Sequence, residues 1–319
     1  MKKAIIYCLA LIASVDAYAG DKEKKNLTGD VKSFTEYQYD AKGRAEAPAK
    51  VSLKPVTARE FNHVVFNEKG FVLEEKSLLN DSTVLGNKVI KYAKDSIESE
   101  KIYEGEVLAE SLVYERDKKN RPVRISVSGS KGLMKSYTYS YNEDDNSLTW
   151  QVLNPANEIF KQLPVPQNIY FLNKDGFPDS VHHYTFANPT TMIKATRSVW
   201  KYDDKNRLVH YIDYFKNDSV KLDQKWNYSN GAFADSLIET EYLYSRQLKQ
   251  RTTHYYDDKG NAKRKVFYVH ETNLTENWTY NYDMDEKGNW TRKITLLNSK
   301  PVAIAERKIE YFTPIPPKP

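Results

Sequence analysis

Little in this chain of 319 residues supplies cross-links or backbone punctuation: it holds a single Cys, 12 Gly and 13 Pro. One cysteine excludes a disulfide scaffold, and so few glycines and prolines exclude a collagen-like rod or a low-complexity tail. An excess of one charge sign is missing too, since 48 Lys and Arg stand against 43 Asp and Glu, interspersed along the chain. A net charge of +5 gives no footing for a nucleic-acid partner. Helix signals are also scarce. Aromatics are what the chain does have, with 24 Tyr, 12 Phe and 5 Trp. The length is enough for one large domain or two ordinary ones without staples.

The first residues read as an export signal. Lys2 and Lys3 form a basic start, Ala4 to Val15 an apolar run, and Ala17-Tyr18-Ala19 a small-x-small site that predicts cleavage between Ala19 and Gly20. The run is too short to span a bilayer, which takes about 20 residues. Removal of residues 1–19 takes away Lys2, Lys3, Asp16 and the lone Cys8. No apolar run of membrane length follows, so no integral membrane segment is expected after signal removal. The expected location is the periplasm, the outer membrane as an associated protein, or the cell surface of a Gram-negative bacterium.

Beyond the signal, one pattern recurs: an aromatic, an acidic or amide residue, a short polar stretch with Gly or Asn, and then a basic or amide residue. It appears at Tyr39-Asp40-Ala41-Lys42-Gly43-Arg44, Phe66-Asn67-Glu68-Lys69-Gly70, Tyr141-Asn142 through Asn146, and Phe171 through Gly176. Later copies are Tyr202-Asp203-Asp204-Lys205-Asn206-Arg207, Tyr256-Asp257-Asp258-Lys259-Gly260-Asn261 and Tyr282-Asp283 through Asn289, with a looser one from Tyr114 to Arg121. The pivots 43, 70, 120, 146, 176, 206, 260 and 288 are evenly spaced except for two gaps of nearly double length, so a degenerate copy is expected in each gap.

Each copy reads as a β-hairpin. Asp or Asn at the turn entrance accepts hydrogen bonds from nearby backbone, and Gly or Asn tolerates the positive φ that closes a short loop. The flanks alternate with period two, as in Tyr137-Thr138-Tyr139-Ser140-Tyr141 and Trp278-Thr279-Tyr280-Asn281-Tyr282, which puts aromatics on one face of a sheet and polar residues on the other. The expected fold is all-β, a long antiparallel meander of hairpins in an open or partly curled sheet. Its expected divisions are a β-repeat half over 20–153, a Pro-rich break with a possible short helix over 154–167, a second half over 168–312 and an extended tail over 313–319.

The motif Tyr-Asp-x-x-Gly/Asn-Arg/Asn at 39–44, 202–207 and 256–261 resembles the YD repeats of the Rhs and teneurin-type proteins. That resemblance implies long antiparallel sheets that wrap into a shell, here a short, open relative without a toxin domain, because the copies are too few to close a large shell. A second pattern, Asp-Ser/Thr-aliphatic, is similar to the acceptor sequence of a bacterial protein O-glycosylation system. It marks Ser82, Ser96, Ser180, Ser219 and Ser236 as glycan acceptor candidates, expected on exposed loops.

Catalytic patterns are absent or weak. Ser128-Gly129-Ser130-Lys131 holds an S-x-x-K match without a companion motif, and no catalytic residue is assigned. The six histidines lack ligand spacing, and Asp283 to Gly288 begins like a calcium loop but carries Lys287 where an oxygen ligand belongs, so neither a metal nor a cofactor is expected. The turn acids 144/145, 203/204 and 257/258 read as turn formers. The candidate binding surface is aromatic: Trp200, Tyr202, Trp226, Tyr228, Trp278 and Tyr280, which can stack on sugar rings or anchor a protein contact. The expected function is therefore a non-enzymatic binding or scaffold module of the envelope, with a protein or polysaccharide partner. The alternatives are an outer-membrane β-barrel and a polysaccharide-acting enzyme.

Overall fold

The computed structural model describes residues 25, 27–40, 60–79, 83–153, 167–188, 191–229 and 231–313. The signal with its Ala19/Gly20 site, most of the 39–44 copy, Ser82, nearly all of the Pro-rich break and the last six residues lie outside the described residues. Twenty strands follow in order. They are β1 Val31–Asp40, β2 Glu60–Phe66, β3 Val72–Leu79, β4 Thr83–Ala93, β5 Ser96–Glu104, β6 Val107–Arg116 and β7 Pro122–Gly129. Next come β8 Gly132–Asn142, β9 Ser147–Leu153, β10 Gln167–Leu172, β11 Pro178–Asn188, β12 Thr191–Tyr202, β13 Leu208–Tyr214 and β14 Val220–Asn227. The last six are β15 Ser236–Tyr242, β16 Leu248–Tyr256, β17 Ala262–Val269, β18 Leu274–Met284, β19 Trp290–Leu297 and β20 Lys300–Tyr311.

Every strand pairs antiparallel with its sequence neighbours, and β9 pairs with β10, so the two expected halves are one sheet. The open or partly curled sheet is corrected here. β1 pairs with β2 on one edge and with β20 on the other, from Val31↔Tyr311 to Asp40↔Ala303, which closes all twenty strands into a barrel. Closure satisfies the backbone donors and acceptors that two free edges would leave unpaired.

The repeated motif forms the turns of one rim. In Asp203-Asp204-Lys205-Asn206-Arg207, the N–H of Asp203 donates to the carbonyl of Arg207 at 3.0 Å and that of Asn206 to the carbonyl of Asp203 at 3.1 Å. The Asp203 carboxylate accepts from the N–H of Lys205 and of Arg207. Asn67, Asp117, Asn173, Asp257 and Asp285 repeat this arrangement at their own turns. Asn206 at φ 58° and Gly260 at φ 79° sit in the left-handed region that these residue types tolerate. Each double-length gap contains a further chain reversal on this rim, at Lys94-Asp95 between β4 and β5 and between Asn227 of β14 and Ser236 of β15.

Neighbouring turns are tied together. The Arg207 guanidinium bonds Asp203 at 2.7 Å and lies 4.2 Å over the Tyr228 ring, while the Tyr228 hydroxyl donates to the carbonyl of Leu208. Arg121, Asp117 and Tyr141 repeat the arrangement, with the Tyr141 hydroxyl on the carbonyl of Pro122. At the seam, the Tyr311 hydroxyl donates to Asp285. The buried Asn289 donates to the carbonyl of Thr28 and accepts from its N–H at 2.7 Å.

Candidate functional site

Alternation and register divide the wall into two faces. One contains Val64, Ile125 and Val181, whose exposures are 0%, 0% and 1%, along with Phe34, Leu112, Tyr139 and Tyr170. Side chains on the concave side of a closed sheet converge and those on the convex side splay, so this crowded face is the inner one. Many of its apolar residues form two contiguous clusters. One is built on Phe34, Val64, Phe66, Val72 and Ile90 with Leu27 and Val31; the other is built on Leu112, Ile125, Val127 and Tyr139.

The inner wall from β10 round to β19 adds no residue to either cluster and is more polar. Trp200 stands opposite Tyr211, Tyr211 opposite Gln224, Gln224 opposite Glu239, and Glu239 opposite Thr252, which makes one row across five strands. Gln224 donates to Glu239 at 2.6 Å, and His254 Nε2 meets the other Glu239 oxygen at 2.8 Å. The His254 contact, opposed by burial and assisted by Gln224, holds the Glu239 carboxyl below the usual range. Beyond it, Lys265 lies 4.6 Å over Trp278, whose indole N–H donates to Glu276. Further polar ties are His183 to Asn168 at 2.5 Å and Ser198 to Asp213 at 3.0 Å.

All six aromatics of the predicted binding surface fall on this inner face, and each is half-buried. They do not form one patch. Trp200 packs on Tyr211 at 5.2 Å, Tyr202 on Phe177, and Tyr228 carries Arg207, so the broad flat aromatic sheet face resolves into paired platforms separated by hydrogen-bonding side chains. Sequence reasoning missed Glu239, Gln224 and His254, because only the register shows that they share a row with the tryptophans.

The outer face is charged, with Lys101 and Arg251 near mid-strand and four more cations each at the third residue from a strand end. Lys101, Arg124, Lys225, Arg251, Arg264 and Arg292 lie on it, in register with Val89, Thr138, His210, Thr240, Thr279 and Glu306. His210 and Lys225 both bond Asp223, at 2.7 and 3.1 Å.

Of the acceptor candidates, Ser96 and Ser236 open strands and their hydroxyls accept from Asn120 and Asn227, while Ser180 lies within β11. Ser219 is buried and bonds Asn217, which is not the exposed loop setting expected of it. The calcium-like run is the β18–β19 turn, and Ser128 lies in β7 ahead of the β7–β8 turn. Among the described residues no group of three His, Cys, Asp or Glu is placed to hold a metal ion, and no helix is long and apolar enough to cross a membrane.

No family model and no curated protein matches the chain. The YD-repeat resemblance therefore has no family model behind it, and the closed ring overturns the open relative of that family. Among solved structures, a porin-like protein from Bacteroides uniformis is similar at 10% identity and a TM-score of 0.36, over 88% of this chain and 98% of its own. A porin-like protein from Bacteroides vulgatus is similar at 13% identity and a TM-score of 0.26, over the same shares. The TcdB2-TccC3 complex is similar at 9% identity and a TM-score of 0.27, over 75% of this chain and 17% of its own. Likenesses this loose carry nothing over to this chain; its barrel stands on its own strand pairing, as a closed antiparallel ring of twenty strands.

Proposed function

We propose that the chain is a closed β-barrel of the cell envelope with a water-facing outer wall and an inner wall that binds an extended saccharide. The observation that carries this reading is an outer wall that bears arginines and lysines around the ring, set against an inner wall with paired aromatics. A bilayer would charge roughly 2–4 kcal/mol for an Arg or Lys at its midplane and about 0–1 near its edges, and Lys101 and Arg251 stand near mid-strand. Inward, aromatic platforms separated by Gln224, Glu239, Thr252 and His254 combine ring stacking with hydrogen bonding, the two contacts that sugars offer.

A second reading, an outer-membrane pore, is supported by a different observation. The ring has an even number of strands, and its first and last strands begin and end beside the rim of tight turns, the arrangement of outer-membrane barrels.

One experiment separates the two. Residues 20–319 are purified without detergent and titrated with a panel of neutral oligosaccharides, with tryptophan fluorescence as the signal. The first reading expects a monodisperse protein whose fluorescence saturates, with binding at least about tenfold weaker in Trp200→Ala and Trp278→Ala variants that keep their β-sheet spectrum. A protein that needs detergent and conducts ions across a planar bilayer discards it in favour of the second.

A further inference from the structure

Where β18, β19, β20 and β1 meet, the inner wall carries two cations and one carboxylate. Arg307 Nε bonds Glu36 Oε2 at 2.9 Å, and the two side chains are 10% and 12% exposed. The guanidinium also lies 3.7 Å over the Trp290 ring and 4.9 Å from that of Phe34. Its Nη1 is buried without a hydrogen-bond partner. Lys293 Nζ stands 5.0 Å from the same Trp290 ring, and no carboxylate among the described residues is within ion-pair distance of it. The stem of Lys293 is opposite Tyr282, and Tyr282 packs on Trp290 at 6.1 Å.

Two cations held over one ring, with the one carboxylate paired to Arg307, leave a positive charge in a half-buried wall. Burial lowers the pKa of both cations and Glu36 opposes that loss; Arg307 lowers that of Lys293 further, while Tyr282 helps to hold that of Arg307 up. A charged arginine nitrogen that is removed from water and unmatched is costly, and an anion relieves the cost. Trp290 is 5% exposed beneath its cations, unlike the half-buried Trp278 and Tyr228, so the site does not stack a ring; it takes a small charged group.

We propose that Lys293 and Arg307 Nη1 form a binding site for a compact oxyanion, the carboxylate, phosphate or sulfate group of a ligand in the barrel. The site lies on the inner wall and rests on the reading that this wall binds ligand. Glu36 orients Arg307 and competes with the anion for it.

Full-length mature protein is titrated with inorganic phosphate, with glucuronate and with neutral glucose at constant ionic strength, using Trp290-dependent fluorescence and thermal shift. The expected result is saturable binding of phosphate or glucuronate but not glucose, weakened about tenfold in Lys293→Met and tightened in Glu36→Gln. Phosphate alone points to a phosphoryl ligand and glucuronate alone to an acidic sugar; either supports the site. Equal anion binding by wild type and Lys293→Met, or no binding by either, overturns it. The neutral oligosaccharide titration run alongside reports on the inner-wall reading separately. Circular dichroism of each variant, with the opposite sign expected for Glu36→Gln, keeps a misfolded Lys293→Met from deciding the matter.

Discussion

At the scale of single residues, the turn aspartates show how one side chain sets a local structure. Asp203 accepts two backbone N–H groups and the Arg207 guanidinium. Burial alone would raise its pKa; the Arg207 backbone and side-chain bonds and the Lys205 bond outweigh it and hold the carboxyl below its ordinary value. A depressed folded-state pKa means that the contribution of Asp203 is fully present above about pH 4, the unfolded value, and is lost as the pH falls through the folded one. A carbon-detected NMR titration should therefore place the Asp203 midpoint below the ordinary carboxylate value, with the Lys205 and Arg207 amide resonances moving in step. A midpoint at or above that value would remove the carboxylate from its role in the turn.

At the scale of the hairpin, the turns were readable because their chemistry is local. Asp or Asn at the entrance and Gly or Asn at the positive-φ position name the turn without help from the rest of the chain, as Asp257 to Asn261 shows. Gly176 and Gly260 occupy the same backbone conformation, at φ 82° and 79°, yet a Cβ at Gly176 meets nothing within 4 Å while one at Gly260 stands 2.6 Å from the Phe233 ring. Gly176→Ala should cost about 1 kcal/mol from the left-handed backbone alone. Gly260→Ala should cost more, because Phe233 has to move as well. Equal urea midpoints for the two variants would mean that the Phe233 contact carries no weight.

At the scale of the whole molecule, closure is what the sequence left unread. The Val31–Asp40 and Lys300–Tyr311 strands look like any other pair of flanks, and nothing local in Thr35 or Lys308 marks them as partners. Which face turns inward was hidden for the same reason: alternation gives two faces, and only curvature tells them apart. The aromatic residues were therefore identified as the binding candidates, but their companions Gln224, Glu239 and His254 were not. Thr35 and Lys308 stand directly opposite in register. With Cys8, the chain's single cysteine, replaced by Ser, Thr35→Cys with Lys308→Cys should oxidise to an intramolecular disulfide that speeds migration on a non-reducing gel. An open sheet holds those positions at opposite edges, so a monomer that stays reduced, or a ladder of cross-linked multimers, would contradict the ring.

The seam also fixes an order in time. Glu36 meets Arg307 across 271 positions of sequence, and Thr28 meets Asn289 across 261. Contacts so distant along the chain form last, after a large loop-closure cost, whereas each hairpin can zip as soon as its turn emerges. During folding, then, a growing ribbon of finished hairpins carries the first strand with one edge bare until the final strand arrives. An unpaired edge of that length invites pairing with other chains. The step that makes the barrel is thus also its most exposed moment, and the Tyr311, Asn289 and Thr28 clasp at the rim is the latch that ends it.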